Sequence, residues 1–65
     1  MSVKEELKKV LIGQMTRHKI NAEALINNSV GIAEHPDIVA TIEEELGKIA
    51  EYNDKLLALE DISDG

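Results

Sequence analysis

The chain contains no cysteine, no phenylalanine and no tryptophan, and only one tyrosine, Tyr52. Without cysteine there is no disulfide and no thiolate zinc site. Without aromatic residues in number there is no stacking platform for the bases of a single strand. Basic residues are scarce as well: 7 Lys and Arg against 13 Asp and Glu give a formal net charge of −6. Binding to a nucleic-acid polymer draws mostly on Lys and Arg, so that class is disfavoured. A small anionic ligand held in one local pocket is not. No apolar run approaches the roughly 18 residues that a bilayer-spanning helix needs. The opening "MSVKEELKKV" is too charged for a secretory signal. The expected location is therefore the cytoplasm, without membrane attachment.

What remains is Leu, Ile, Val, Ala and Met, arranged for helices. Val3, Leu7, Val10, Leu11, Met15, Ala22 and Leu25 recur at helical spacing. Ser2 with Glu5 forms a capping-box signature. A first helix is predicted over about 2–27, ended by Asn27, Asn28, Ser29 and Gly31. Asn and Gly tolerate the left-handed conformation common just past a helix end. After a loop over about 28–35, Pro36 suits a first helical position. Asp37 and Glu43 to Glu45 crowd the early turns, where the helix dipole favours acids. Ile38, Val39, Ile42, Leu46, Ile49, Leu56 and Leu57 make the apolar stripe of a second helix over about 36–60, and "DISDG" reads as a frayed acidic tail.

So short a connection folds the helices back antiparallel. The fold class is all-α: one domain spanning 1–65, a two-helix antiparallel hairpin. The loop length pairs Leu25 with Ile38 or Val39, Asn21 with Ile42, His18 with Leu46, Gln14 with Ile49 and Leu7 with Leu56. Two helices of this length cannot cover their own apolar surface, and small domains without disulfides or metals resort to self-association. A homo-oligomer, dimer or tetramer, packed as a helical bundle is expected.

Polar residues interrupt the stripe. Gln14, His18 and Asn21 fall on successive turns among Leu7, Leu11, Ala22 and Leu25, and Asn53 does something similar on the second helix. One reading is an internal polar layer that fixes register or oligomer state. The other is a ligand pocket at an interface. Both stay open on the residues alone. Arg17, His18 and Lys19 form the only compact basic cluster in the middle of the chain; Arg17 suits bidentate phosphate binding. Lys8 and Lys9 read as surface residues paired with Glu5, Glu6 or the second helix. In the loop, Gly31 and His35 stand before a helix start, a place that can receive an anion, although Pro36 removes a donor and Asp37 is itself an anion. The two histidines, His18 and His35, have no carboxylate at ligand spacing beside them, so no metal is expected. Catalysis finds no support: no Ser or Cys stands near a His, and Glu43, Glu44 and Glu45 read as a surface run rather than an acid–base pair. No cofactor is expected.

The segment "NNSVGIAEHPDIVATIEEELGKIAEYNDKLLAL" is similar to a recurrent pattern in short proteins of tailed phages. That pattern is a helix ending in Asn, a Pro-Val-Gly-Ile-Gly turn, Glu-His-Pro-Asp-Ile, then an acidic amphipathic helix. The resemblance runs from Asn21 to about Leu59. Gly31-Ile32 and Glu34-His35-Pro36-Asp37-Ile38 carry it; Ser29 and Ala33 stand where the pattern has Pro and Gly. It resembles the phage sponge families that sequester cyclic-nucleotide signals of anti-phage systems such as CBASS. The resemblance implies a small, helical, oligomeric phage protein that evades immunity by binding a cyclic dinucleotide without cleaving it. Physical reading of the residues nominates Gln14, Arg17, His18, Lys19, Asn21, Gly31 and His35 as the ligand-binding set. The competing class is an acidic helical module that engages a host protein.

Overall fold

The computed structural model describes residues 2–28 and 36–63, and for Pro36 only its backbone. Two helices account for the fold: α1, Val3–Asn27, and α2, Pro36–Glu60. They lie side by side as an antiparallel hairpin measuring 53 × 17 × 11 Å. The smallest dimension is that of a single helix, so the molecule is one layer thick.

Both ends of α1 follow from local chemistry. Ser2 is extended, and its Oγ accepts the Glu5 backbone N–H at 3.4 Å. The Ser2 carbonyl accepts from the Glu6 N–H at 3.1 Å. At the other end Asn28 departs from expectation. With φ −108° it is not left-handed; it closes the helix by bonding twice to the Ala24 carbonyl, through its backbone N–H at 3.0 Å and its side-chain amide at 2.9 Å. A side chain that can reach an orphan carbonyl removes the need for the left-handed cap. Gly31 and His35 lie outside the described residues. In α2, Thr41 Oγ1 donates to the Asp37 carbonyl at 2.8 Å, sealing the first turn.

The start of the tail is held rather than frayed. Asp61 and Ile62 donate their N–H groups to the Ala58 and Leu59 carbonyls, and the Lys4 ammonium donates to the Ile62 carbonyl at 2.6 Å. That last contact ties the C-terminal end of α2 to the first turn of α1. Beside it, Lys8 pairs with Glu60 at 2.9 Å, and Lys9 pairs with Glu6 at 3.4 Å along α1. Both match the surface roles expected for these lysines.

The core is thin. Among the described residues only Leu11, Ala22 and Leu59 are buried apolar residues, and ten large apolar side chains stay exposed. The fourth buried residue is a histidine. Helix pairing on its own therefore leaves most of each apolar stripe in contact with water.

Candidate functional site

Midway along the hairpin the seam is polar. His18 is buried at 8% exposure, as deeply as Leu11. Its Nδ1 lies 2.6 Å from Glu45 Oε2 on α2. With Glu45 a carboxylate, the hydrogen sits on Nδ1 and the imidazole donates. The Asn21 amide, one turn further along α1, reaches the same carboxylate at 3.4 and 3.5 Å. On the far side of the imidazole the Tyr52 ring stacks, with centroids 5.9 Å apart and planes inclined by 16°. The Lys55 ammonium lies 5.0 Å from the centroid of that Tyr52 ring, a cation–π geometry. Five residues from two helices thus form one polar layer across the seam.

The layer is electrostatically closed. The hydrogen bond from His18 holds the Glu45 carboxyl below its usual range; partial desolvation opposes this, and the Asn21 amide and the Arg17 charge reinforce it. Among the described residues no buried side-chain nitrogen or oxygen lacks a partner. Burying the Nδ1 side of the imidazole costs little, because that atom exchanges water for the Glu45 carboxylate.

This arrangement corrects two expectations. Glu45 is not part of a surface run: it faces α1, whereas Glu43 and Glu44 are exposed. The residue expected opposite His18 was Leu46. Elsewhere the expected depth misses by about a turn: Asn21 reaches Glu45 rather than Ile42, and Leu7 shares a groove with Leu59 and Ile62 rather than Leu56. At His18 the miss is a single position, and Leu46 is 51% exposed. One residue turns an α-helix by about 100°, enough to move a side chain from the seam to the outside. Asn53 likewise stands exposed, outside the seam.

The basic cluster also divides. Arg17 and Lys19 are two positions apart, which on a helix means roughly opposite flanks, and both are exposed. Compactness in sequence is not compactness in space. Arg17 shares its flank with Gln14 and Asn21, at a spacing of three and then four residues that sets them on one stripe. Among the described residues, Arg17 and Lys19 enter no ion pair, whereas Lys8, Lys9, Lys48 and Lys55 do. Of the sequence-nominated set, then, the structure brings Gln14, Arg17 and Asn21 together on one face, places His18 beneath it, and sends Lys19 to the other side.

On the Arg17 side, towards the α1 N-terminus, an open groove of 390 Å³ runs along the seam, lined by Leu7, Leu11, Lys55, Ala58, Leu59 and Ile62. Sequence reasoning missed it because it depends on Ile62, assigned to a frayed tail. The signal was present: Leu7, Leu59 and Ile62 are apolar residues near the two chain ends that an antiparallel hairpin must bring together. Among the described residues no group of three or more His, Asp or Glu residues is arranged to hold a metal ion, and no helix is long and apolar enough to cross a membrane. Comparison of the chain with protein families, curated proteins and solved structures finds no match.

Proposed function

We propose that this chain is a non-enzymatic binder of a small anionic nucleotide, a cyclic dinucleotide, which it withholds from a host defence system during phage infection. The observation that carries this reading is Arg17. It is exposed and free of ion pairs among the described residues of an acidic chain, and it is flanked by the amides of Gln14 and Asn21. An arginine that closes no ion pair, although its charge is felt by Glu45, keeps its fork of donors for a phosphate. The Gln14 amide and the Asn21 amide oxygen, which the contact of Asn21 with Glu45 leaves unused, suit base edges or ribose hydroxyls. The apolar groove on the same side offers a surface for a base face. Sequestration requires binding alone, so the absence of a nucleophile–base pair is no obstacle.

His18 has a different part from the one expected. Engaged by Glu45 and Tyr52, it supports the Arg17 face from below rather than touching ligand. The alternative, an acidic module that engages a host protein, draws on the ten large apolar side chains exposed among the described residues.

Calorimetry against a panel of cyclic di- and trinucleotides, on wild type and Arg17→Ala, tests the reading. Wild type is expected to bind at least one cyclic dinucleotide. Loss of a charge-assisted phosphate contact, worth roughly 1.5–3 kcal/mol, weakens Arg17→Ala by about tenfold to a hundredfold. No binding by wild type refutes the function; equal binding by Arg17→Ala refutes the site. A host protein that co-purifies with wild type, together with no thermal shift from any nucleotide, selects the alternative.

A further inference from the structure

The two flanks of the hairpin differ, and one of them is built to be covered. The Lys8–Glu60 ion pair marks that flank on both helices. Counting from Lys8 in steps of three and four along α1 gives Ile12, Met15, Lys19 and, past the buried Ala22, Ile26, so the α1 part of the flank carries lysines among its apolar residues. Counting back from Glu60 along α2 gives Leu57, Asn53, Ala50, Leu46 and Val39. By the 3.6-residue period these fall on one side of the hairpin, opposite the Arg17 side. Ile12 is 42% exposed, Ile26 52%, Val39 58%, Leu46 51% and Leu57 61%. On α2 the stripe from Val39 to Leu57 is mostly uncharged, with Glu43 at its edge between Val39 and Leu46.

We propose that this flank is an interface and that its occupant is a second copy of the same chain. Three observations select that occupant. The first is area. A folded monomer of 7.2 kDa exposes about 4,100 Å² by the scaling of surface with mass. This chain exposes 4938 Å². The excess, roughly 800 Å², is what one partner contributes to an interface of standard size. The second is thickness: a layer of 11 Å has no second layer to close its core, and stable domains have two. A second hairpin laid on this flank supplies one and makes a four-helix bundle.

The third is Asn53. It interrupts the α2 stripe, is exposed, and its side chain makes no hydrogen bond among the described residues. A lone Asn among apolar residues spaced by three, four and seven is the device by which helices specify register and copy number with their own kind. In a two-fold assembly the same patch serves both sides, so one stripe suffices. The inference goes beyond nucleotide binding and stands apart from it. The Arg17 face is left outward and accessible, so assembly and ligand binding fail separately.

The chain has no cysteine, so single-cysteine probes read the interface directly. Ala50→Cys and Leu57→Cys place a thiol in the stripe; Lys48→Cys places one on the opposite side of α2. Light scattering at micromolar concentration should give a mass of at least a dimer for wild type. A bismaleimide should then link Ala50→Cys and Leu57→Cys into dimers several-fold more completely than Lys48→Cys. A monomer mass overturns the proposal. So does an oligomer that crosslinks through Lys48→Cys as fully as through the stripe, because its copies then meet on another face.

Discussion

Two levels of one helix pair are equally buried by opposite means. At the lower level Leu11 and Leu59 are buried in an apolar seam, with Lys55 and the Lys8–Glu60 pair only at its edge. At the middle level His18, no more exposed than Leu11, meets Glu45, Asn21 and Tyr52. The apolar level is favourable in any alignment that puts methyl groups together. The polar level is favourable in one alignment only. Slide α2 by one turn and Ile49 or Thr41 comes to stand at the level of Glu45. The imidazole is then buried without a partner, and an orphaned buried polar group costs about 1–3 kcal/mol. The apolar level therefore supplies stability and the polar level supplies register, the best-attested use of buried polar pairs.

The largest expected effect comes from breaking the apolar level. Leu11→Ala removes one of the three buried apolar side chains among the described residues. Core Leu→Ala changes cost about 2–5 kcal/mol, and in a hairpin open on both flanks the lower end applies. In a domain this small about 2 kcal/mol corresponds to a melting point lower by roughly 10 °C. Thermal unfolding by circular dichroism checks it; a drop of only a degree or two would mean that the Leu11 level contributes little.

Next comes the polar level, where two substitutions separate stability from register. Glu45→Ala leaves His18 Nδ1 buried without its acceptor and should destabilise clearly. His18→Leu with Glu45→Leu replaces the layer by apolar packing and should restore or exceed the wild-type melting temperature, while losing the single alignment. Amide NMR spectra are the readout: one set of sharp resonances for wild type, broadened or multiple sets for the double variant. A double variant with one sharp set would show that loop length alone fixes the register.

Acid should act through the same level. The folded-state pKa of Glu45 is depressed by the hydrogen bond from His18. A depressed carboxyl contributes stability above its ordinary value near 4.5, and that stability is lost as pH falls through the folded value. Melting temperature should thus decline below about pH 4.5, and Glu45→Gln should flatten that limb. Glu60 is also depressed, by its hydrogen bond and charge pairing with Lys8, but its side chain is 53% exposed against 18% for Glu45. Glu60→Gln should leave most of the acid limb in place. An unchanged acid limb in Glu45→Gln would mean that other carboxylates set it.

How much of this was legible beforehand varies with the kind of signal. Both helices were, nearly to the residue, because Ser2, Asn27–Asn28 and Pro36 punctuate a chain with a strong 3.6-residue period. The level of pairing was legible only to within about a turn: the expected partner of His18 missed by one position, but Asn21 meets Glu45 rather than Ile42, and Leu7 lies beside Leu59 and Ile62 rather than Leu56. The face was not. Glu43, Glu44 and Glu45 look alike in one dimension, and nothing local says that the third turns inward. That depends on where α1 stands, which only tertiary packing decides. The same blindness made a cluster of Arg17 and Lys19, neighbours in sequence that the helix sends to opposite flanks. Of the polar residues placed on the apolar stripe, His18 is buried in the seam, whereas Asn21 and Asn53 are exposed; closure of His18 by Glu45 and Tyr52 was not foreseeable from spacing within α1.

The smallest effect belongs to the rim of the lower level. Lys8 and Glu60 approach to 2.9 Å, yet their side chains are 40% and 53% exposed. The pair raises the Lys8 pKa and lowers that of Glu60, chiefly through their hydrogen bond. Water screens both groups, and holding two flexible side chains together offsets much of the attraction. Lys8→Ala should therefore shift the melting temperature by little more than experimental error. Whatever shift remains should vanish at about 1 M salt, where the screening length is near 3 Å. Leu11→Ala, one turn away on α1, should keep its full effect in the same salt, because burial of methyl groups does not depend on ionic strength in this way. A Lys8→Ala penalty as large as that of Leu11→Ala and indifferent to salt would reverse the comparison, making the ion pair rather than the methyl groups the main hold between the two ends of the hairpin.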